Sequence, residues 1–237
     1  MAQGYFITGT DTGVGKTVIT AALALTLRQM GKDVGVMKPV ATGCVRRREG
    51  LVSEDAELLA KAADAPESLP EISPIRLAEP LAPTVAAARA GTPIDLETVW
   101  AAWRRISSAH SYVLVEGIGG ILCPVTPEFS VADLAKRFGL PVIVVARSGL
   151  GTINHTALTV EAALRRGLEV AGVIINRYHH ETTDLSEMTN PDEIARVTGV
   201  PVLGLVPDDR ETRPGEGILG PDLLAAIAQL PLRQLFR

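Results

Sequence analysis

The chain has 237 residues, of which 46% are hydrophobic and 4% aromatic, enough for one large domain around an aliphatic, alanine-rich core of the kind found under parallel strands covered on both faces. Its formal net charge of −4 provides no field to attract nucleic acid or an anionic membrane. No apolar stretch approaches the ~20 residues of a membrane span, and Met1–Gly4 leads straight into a β-like run with no signal pattern, which reads as a cytoplasmic protein.

The first apolar run, Tyr5–Thr8, reads as a strand. It opens into a loop holding Gly9, Gly13 and Gly15, then Lys16 and Thr17, before a helix over Thr17–Met30. Strand, glycine loop and helix in this order are the setting of a phosphate-binding P-loop. The glycines let backbone N–H groups turn inward and the helix N-terminus adds positive potential; Lys16 reaches the β/γ-phosphates and the Thr17 hydroxyl ligates Mg²⁺. The usual G-x-x-x-x-G-K-[ST] spacing would put a glycine at position 10, where Thr10 stands; with Gly9 the loop is one residue longer.

A second strand, Val34–Lys38, delivers Lys38 and then Thr42 beyond its tip; Lys38 reads either as a solvated lysine or as a cation at a site. Arg46–Arg48 reads as a solvated loop or a grip on phosphate. The helix over Glu54–Ala63 opens with Ser53, Glu54 and Asp55, either a capping cluster or a source of a metal-binding carboxylate in Asp55. The Pro- and Ala-rich stretch Pro66–Pro93 reads as loops and a short helix, Pro83–Ala90, along one edge, and a helix over Leu96–Ser107 starts after Asp95. The strand Ser111–Glu116 ends VLVEGIGG. A carboxylate behind an apolar run is expensive unless it meets a cation or donors, so Glu116 is a candidate Mg²⁺ ligand.

Further on come a helix over Val131–Phe138, a strand Val142–Ala146 running into SGLGTINHT, and a helix over Asn154–Arg166. A strand Val170–Asn176, a helix Pro191–Thr198 with Asn190 as cap, a strand Val202–Val206 and a helix Pro221–Gln229 complete the series. Gly31, Gly139, Gly167 and Gly199 follow helices as C-terminal caps do. Leu230–Arg237 reads as an exposed tail, His179–Glu181 as a solvated loop, and Cys44 and Cys123, which have no CxxC or metal-ligand spacing, as free thiols.

Alternating β and α elements imply a doubly wound, mainly parallel α/β sheet with helices on both faces, in a single P-loop NTPase-like domain over residues 1–237. Ligands of such sheets bind at the carboxyl ends of the strands. Lys38, Glu116, Asn176, and Pro207 with Asp208 and Asp209, all fall on that rim together with the P-loop.

With GTDTGVGKT, MKPVATG, SEDA and VEGIGG in this order, the chain resembles the dethiobiotin synthetase family from Phe6 to about Pro207, and the longer loop is itself typical of that family. The resemblance implies an ATP- and Mg²⁺-dependent cyclo-ligase acting on 7,8-diaminopelargonic acid and CO₂ or bicarbonate, as a homodimer with the substrate site at the interface. It implies that Gly13, Val14, Gly15, Lys16, Thr17 and Val18 wrap the phosphates, and that Thr17, Asp55 and Glu116 hold Mg²⁺. Lys38, Lys16 and Thr12 are the implied catalytic residues. Glu116, Gly117, Ile118 and Gly119 line the nucleotide–substrate junction, and Asn176, Arg177, Leu205, Val206 and Pro207 lie at the base. Thr12, Lys38 and Thr42 contact the substrate, whose carboxylate tail meets Gly151, Thr152, Ile153 and Asn154. Gly13 departs from the family pattern, where an acidic residue is common. The alternative is a P-loop ATPase switch of the partitioning or division-site type; those carry a lysine near the start of the loop, which Thr10–Gly13 lack.

Overall fold

The computed structural model describes residues 3–236 and turns the expected apolar runs into strands. β1 (Gln3–Gly9) feeds the glycine loop and α1 (Lys16–Gln29). β2 (Val34–Met37) is followed by the short β3 (Val40–Ala41), a hairpin of β4 (Val45–Arg47) and β5 (Gly50–Val52), and α2 (Glu54–Ala63). The edge stretch then forms α3 (Leu69–Ile72), β6 (Ile75–Arg76) and α4 (Pro83–Ala90), and α5 (Leu96–Ala109) leads into β7 (Tyr112–Gly120). A second hairpin, β8 (Pro124–Thr126) and β9 (Phe129–Ser130), precedes α6 (Val131–Phe138) and β10 (Val142–Arg147). α7 (Thr152–Arg165), β11 (Val170–Tyr178), α8 (Leu185–Thr198), β12 (Val202–Pro207), α9 (Pro221–Ala228) and α10 (Leu232–Leu235) follow.

Six strands form one parallel sheet in the order β12-β11-β10-β1-β7-β2. Successive side chains on a strand point to opposite faces, so β1 sends Ile7 to one core and Phe6 to the other. Ile7, Leu114, Ile143 and Ile174 pack under α1, α2 and α9. Phe6, Val115, Val144 and Val173 pack under α5, α6, α7 and α8. Both faces are covered, which is why the strand sequences are continuously apolar rather than alternating. The two hairpins and the β3–β6 pair escaped the sequence reading because each strand is two or three residues long.

Local punctuation works as expected at several ends. Ser53 accepts the Ala56 N–H at 3.2 Å and Asp95 the Glu97 N–H at 2.9 Å. Gly31, Gly139, Gly167 and Gly199 all take left-handed φ after helices. Two expectations fail. α8 begins six residues before Pro191, with Asp184 as its cap, so Pro191 lies inside the helix and cannot donate to the carbonyl of Glu187. Asn190 is no cap: it is buried and donates Nδ2 to the Ser148 carbonyl at 2.6 Å, a long-range partner that no local pattern reveals. The expected tail is also folded in, up to Phe236; Arg237 lies outside the described residues. Leu230, Leu232 and Phe236 are buried, the Phe236 ring meets Tyr5 edge-on at 5.0 Å, and the Tyr5 hydroxyl donates to the Leu235 carbonyl at 2.9 Å.

Candidate active site

β1, β2 and β7 end around a cavity of about 380 Å³. Its floor is the glycine loop. Gly13 and Gly15 have φ of 79° and 97°, a left-handed path that an L side chain resists. At Gly15, the N-cap of α1, a Cβ would also lie 2.1 Å from Asn176 Nδ2. That amide donates to the Val14 carbonyl at 2.9 Å, so the tip of β11 clasps the loop from behind and only glycine fits between them. Lys16 is buried and donates Nζ to the Asp11 carbonyl at 2.9 Å, folded across its own loop. Burial and the nearby Lys38 hold its ammonium below the ordinary lysine range, against the pull of Glu116 and Asp55.

Lys38 follows directly on β2 and is 3% exposed, which excludes a solvated lysine. Its Nζ lies 2.5 Å from Glu116 Oε1 and 2.8 Å from Asp55 Oδ2, and donates to the Gly117 carbonyl at 3.2 Å. Burial opposes its charge, but the two carboxylates outweigh burial and raise its pKa. Glu116 shares Oε1 with the Thr17 hydroxyl, which donates at 2.8 Å. Burial, reinforced by the negative charge of Asp55, raises the Glu116 carboxyl against Lys38 and Thr17. Asp55 is lowered, because Lys38, Thr17 and Lys16 overcome its own burial. Thus Ser53 does the capping of α2, while Asp55 turns into the site.

Three hard oxygen donors, Thr17, Asp55 and Glu116, converge here, and Glu116 Oε2 is buried with no hydrogen-bond partner among the described residues. An orphaned carboxylate oxygen beside a second carboxylate and a hydroxyl fits an oxygen-seeking divalent cation such as Mg²⁺.

Thr12, Gly13, Val18, Thr42, Ile118, Gly119 and Arg177 also border this cavity. Asn176, Arg177 and Pro207 border an adjoining one of about 120 Å³ with Gly15 and Val18. Val14 and Gly117 contribute carbonyls to Asn176 and Lys38 rather than side chains. Val206 is buried in the core on one face of the sheet and Leu205 packs against the core on the other, so of the three only Pro207 borders that cavity. Gly151, Thr152, Ile153 and Asn154 form the start of α7 and border neither cavity; their neighbour His155 faces a separate groove with Thr10, Gly120 and Cys123. Arg46–Arg48 stay outside: Arg47 makes a bidentate pair with Glu57 on α2. His179 pairs with Glu187 at 3.1 Å, and among the described residues no three His, Cys, Asp or Glu side chains converge as a metal cluster. Both cysteines are free. Pro214, which borders both cavities, and Gly215, which borders the larger one, were missed; the PG dipeptide signals a turn but not where the turn lands.

A parallel sheet whose first strand delivers a glycine loop, a buried lysine and a helix-starting threonine defines a P-loop nucleotide-binding domain. Residues 3–215 match the AAA domain family. The chain is 46% identical over 225 residues to an ATP-dependent dethiobiotin synthetase BioD of Anaeromyxobacter dehalogenans, covering 95% of this chain and 99% of the relative. It is 42% identical over 214 residues to the protein of the same name from Thermodesulfovibrio yellowstonii, covering 87% and 89%. The chain belongs to the dethiobiotin synthetase family. Among solved structures, the MinD cell division protein of Aquifex aeolicus superposes with a TM-score of 0.65 at 18% identity over 100% of this chain and 98% of that one, a likeness of fold alone.

Proposed function

We propose that this chain is an ATP-dependent dethiobiotin synthetase, joining 7,8-diaminopelargonic acid and CO₂ into a cyclic urea. The observation that carries the reading is Lys38 held between Glu116 and Asp55 beside Thr17 and the P-loop. One amine of the substrate takes up CO₂ as a carbamate. The carbamate oxygen attacks the γ-phosphorus of ATP, ADP leaves, and the second amine closes the ring on the mixed anhydride and expels phosphate. Both reactants of the phosphoryl step are anions, so positioning and charge neutralisation dominate. Lys16 leaves its carbonyl for the phosphates, Lys38 neutralises charge between carbamate and γ-phosphate, and Thr12 and Thr42 orient the reacting groups. Thr17, Asp55 and Glu116 would hold Mg²⁺, which supplies further neutralisation of the phosphates.

The enzyme is cytoplasmic and a homodimer, in which Gly151–Asn154 of one copy meet the substrate tail in the other. Two features support the second statement: those residues lie away from Lys38 within their own chain, and Leu150 and Leu158 beside them are exposed. No helix among the described residues is long and apolar enough to cross a membrane. The test mixes protein, MgATP, bicarbonate and diamine, and follows phosphate release with product mass. ATP turnover that does not need the diamine would overturn the reading in favour of a nucleotide switch.

A further inference from the structure

We propose that Ser148 and Asn190 are positioning residues for the nucleotide site, acting through a strained bulge at Arg177; this rests on the nucleotide-binding reading above. After an earlier shift between Val173 and Ile174, β11 and β12 run in register from the Ile174–Gly204 pair to the Asn176–Val206 pair, then slip again, so Arg177 is bulged out of the ladder before Tyr178 pairs with Pro207. A bulge re-aims a side chain. Here it brings Arg177 to the wall between the cavity holding Lys16 and Thr17 and the one walled by Pro207. The φ of Arg177 is 56°, in the left-handed region; among the described non-glycine residues only Asp64, at the end of α2, shares it. Glycine would be relaxed there, so the arginine persists in this conformation only because its surroundings impose it.

Those surroundings are two buried polar side chains. Ser148, in the turn after β10, donates Oγ to the Arg177 carbonyl at 2.9 Å, with Glu187 of α8 also within hydrogen-bonding reach. Asn190, also on α8, donates Nδ2 to the Ser148 carbonyl at 2.6 Å and to the Gly149 carbonyl at 3.4 Å. Neither residue borders either cavity. Their arrangement latches the turn after β10 to the bulge, and the bulge, one residue beyond the Asn176 that clasps the P-loop, serves the nucleotide through Arg177, which offers a guanidinium. That guanidinium is only loosely held, with Nε 3.9 Å from Asp208 and both side chains more than half exposed, so its fork is available to phosphate oxygens.

Calorimetric titration with MgATP and steady-state kinetics on the full chain test this. Ser148→Ala is expected to raise the Kd and KM for ATP about 10-fold, with kcat and the KM for the diamine within about twofold, and Ser148→Thr to restore most of the loss. Arg177→Gly, relaxed at this φ, is expected to weaken ATP by a similar factor without lowering Tm, and Ser148→Ala added to it to cost nothing more. Lys16→Ala is the reference. ATP binding that survives Lys16→Ala overturns the nucleotide-site reading itself. If Lys16→Ala abolishes binding while Arg177→Gly binds ATP like the wild type, or if the two variants add, the latch is overturned and the site reading stands. Should Ser148→Ala fail to fold, Arg177→Gly and Ser148→Thr still decide.

Discussion

Lys38 shows how a single side chain acquires a role from its neighbours. Its ammonium is almost fully buried, and two carboxylates hold it charged beside the Thr17 hydroxyl and the glycine loop. Lys38→Ala is expected to lower turnover at least ~100-fold in the diamine-dependent phosphate assay, as loss of a preorganised charge does; near-normal turnover would remove it from the mechanism. Gly15 works by having no side chain. Gly15→Ala combines a left-handed φ of 97°, with a strain of about 1–2 kcal/mol, and a Cβ 2.1 Å from Asn176 Nδ2. A lower denaturation midpoint together with loss of ATP binding is expected, because the clasp between Asn176 and Val14 must open.

Among the elements, β1 serves both the glycine loop and the C-terminal segment. Its C-terminal end feeds the P-loop, and its Tyr5 is where the C-terminal segment docks. Phe236 is 2% exposed and stacks edge-on against Tyr5 and Tyr112. Phe236→Ala is expected to destabilise the chain by about 3–5 kcal/mol in urea titration, the cost of an emptied aromatic site. An unchanged midpoint would mean that the segment is not docked in solution. Within α8, Pro191 and Asn190 mislead as a cap pair because the sequence shows their types but not that Asn190 is buried against the Ser148 carbonyl.

On the scale of the whole molecule, the two rims of the sheet divide the work. The carboxyl rim carries the proposed site; the amino rim carries a clamp. His110, just before β7, meets Asp33 through Nδ1 at 2.6 Å and Glu67 through Nε2 at 2.7 Å, which joins the approaches to β2 and β7 to the segment after α2. Burial opposes the imidazolium, but both carboxylates outweigh it and raise its pKa above the ordinary 6.5. The stability it adds is therefore full below that value and is lost as pH rises through the raised one. Asp33 has the opposite sign: its hydrogen bond from His110 lowers it, so its share is present above its ordinary 3.8 and lost as pH falls through the lowered value. Tm is expected to fall as pH rises above about 6.5 in the wild type and to fall less in His110→Gln; equal slopes would dismiss the clamp.

What the sequence determined by itself is local: continuous apolar runs that only a sheet covered twice can use, the glycine loop, and Lys38 and Glu116 at strand tips. Periodicity and turn chemistry act over a few residues, so they can be read in order along the chain. Tertiary structure decided the rest. It turned Asp55 from one of three capping candidates into a partner of Lys38, buried Asn190 and Phe236, left Gly151–Asn154 away from Lys38, and set Pro214 against the nucleotide crevice. Each of these depends on which distant group removes a polar atom from water or covers an apolar one. That balance of desolvation against pairing exists only once the strands are side by side.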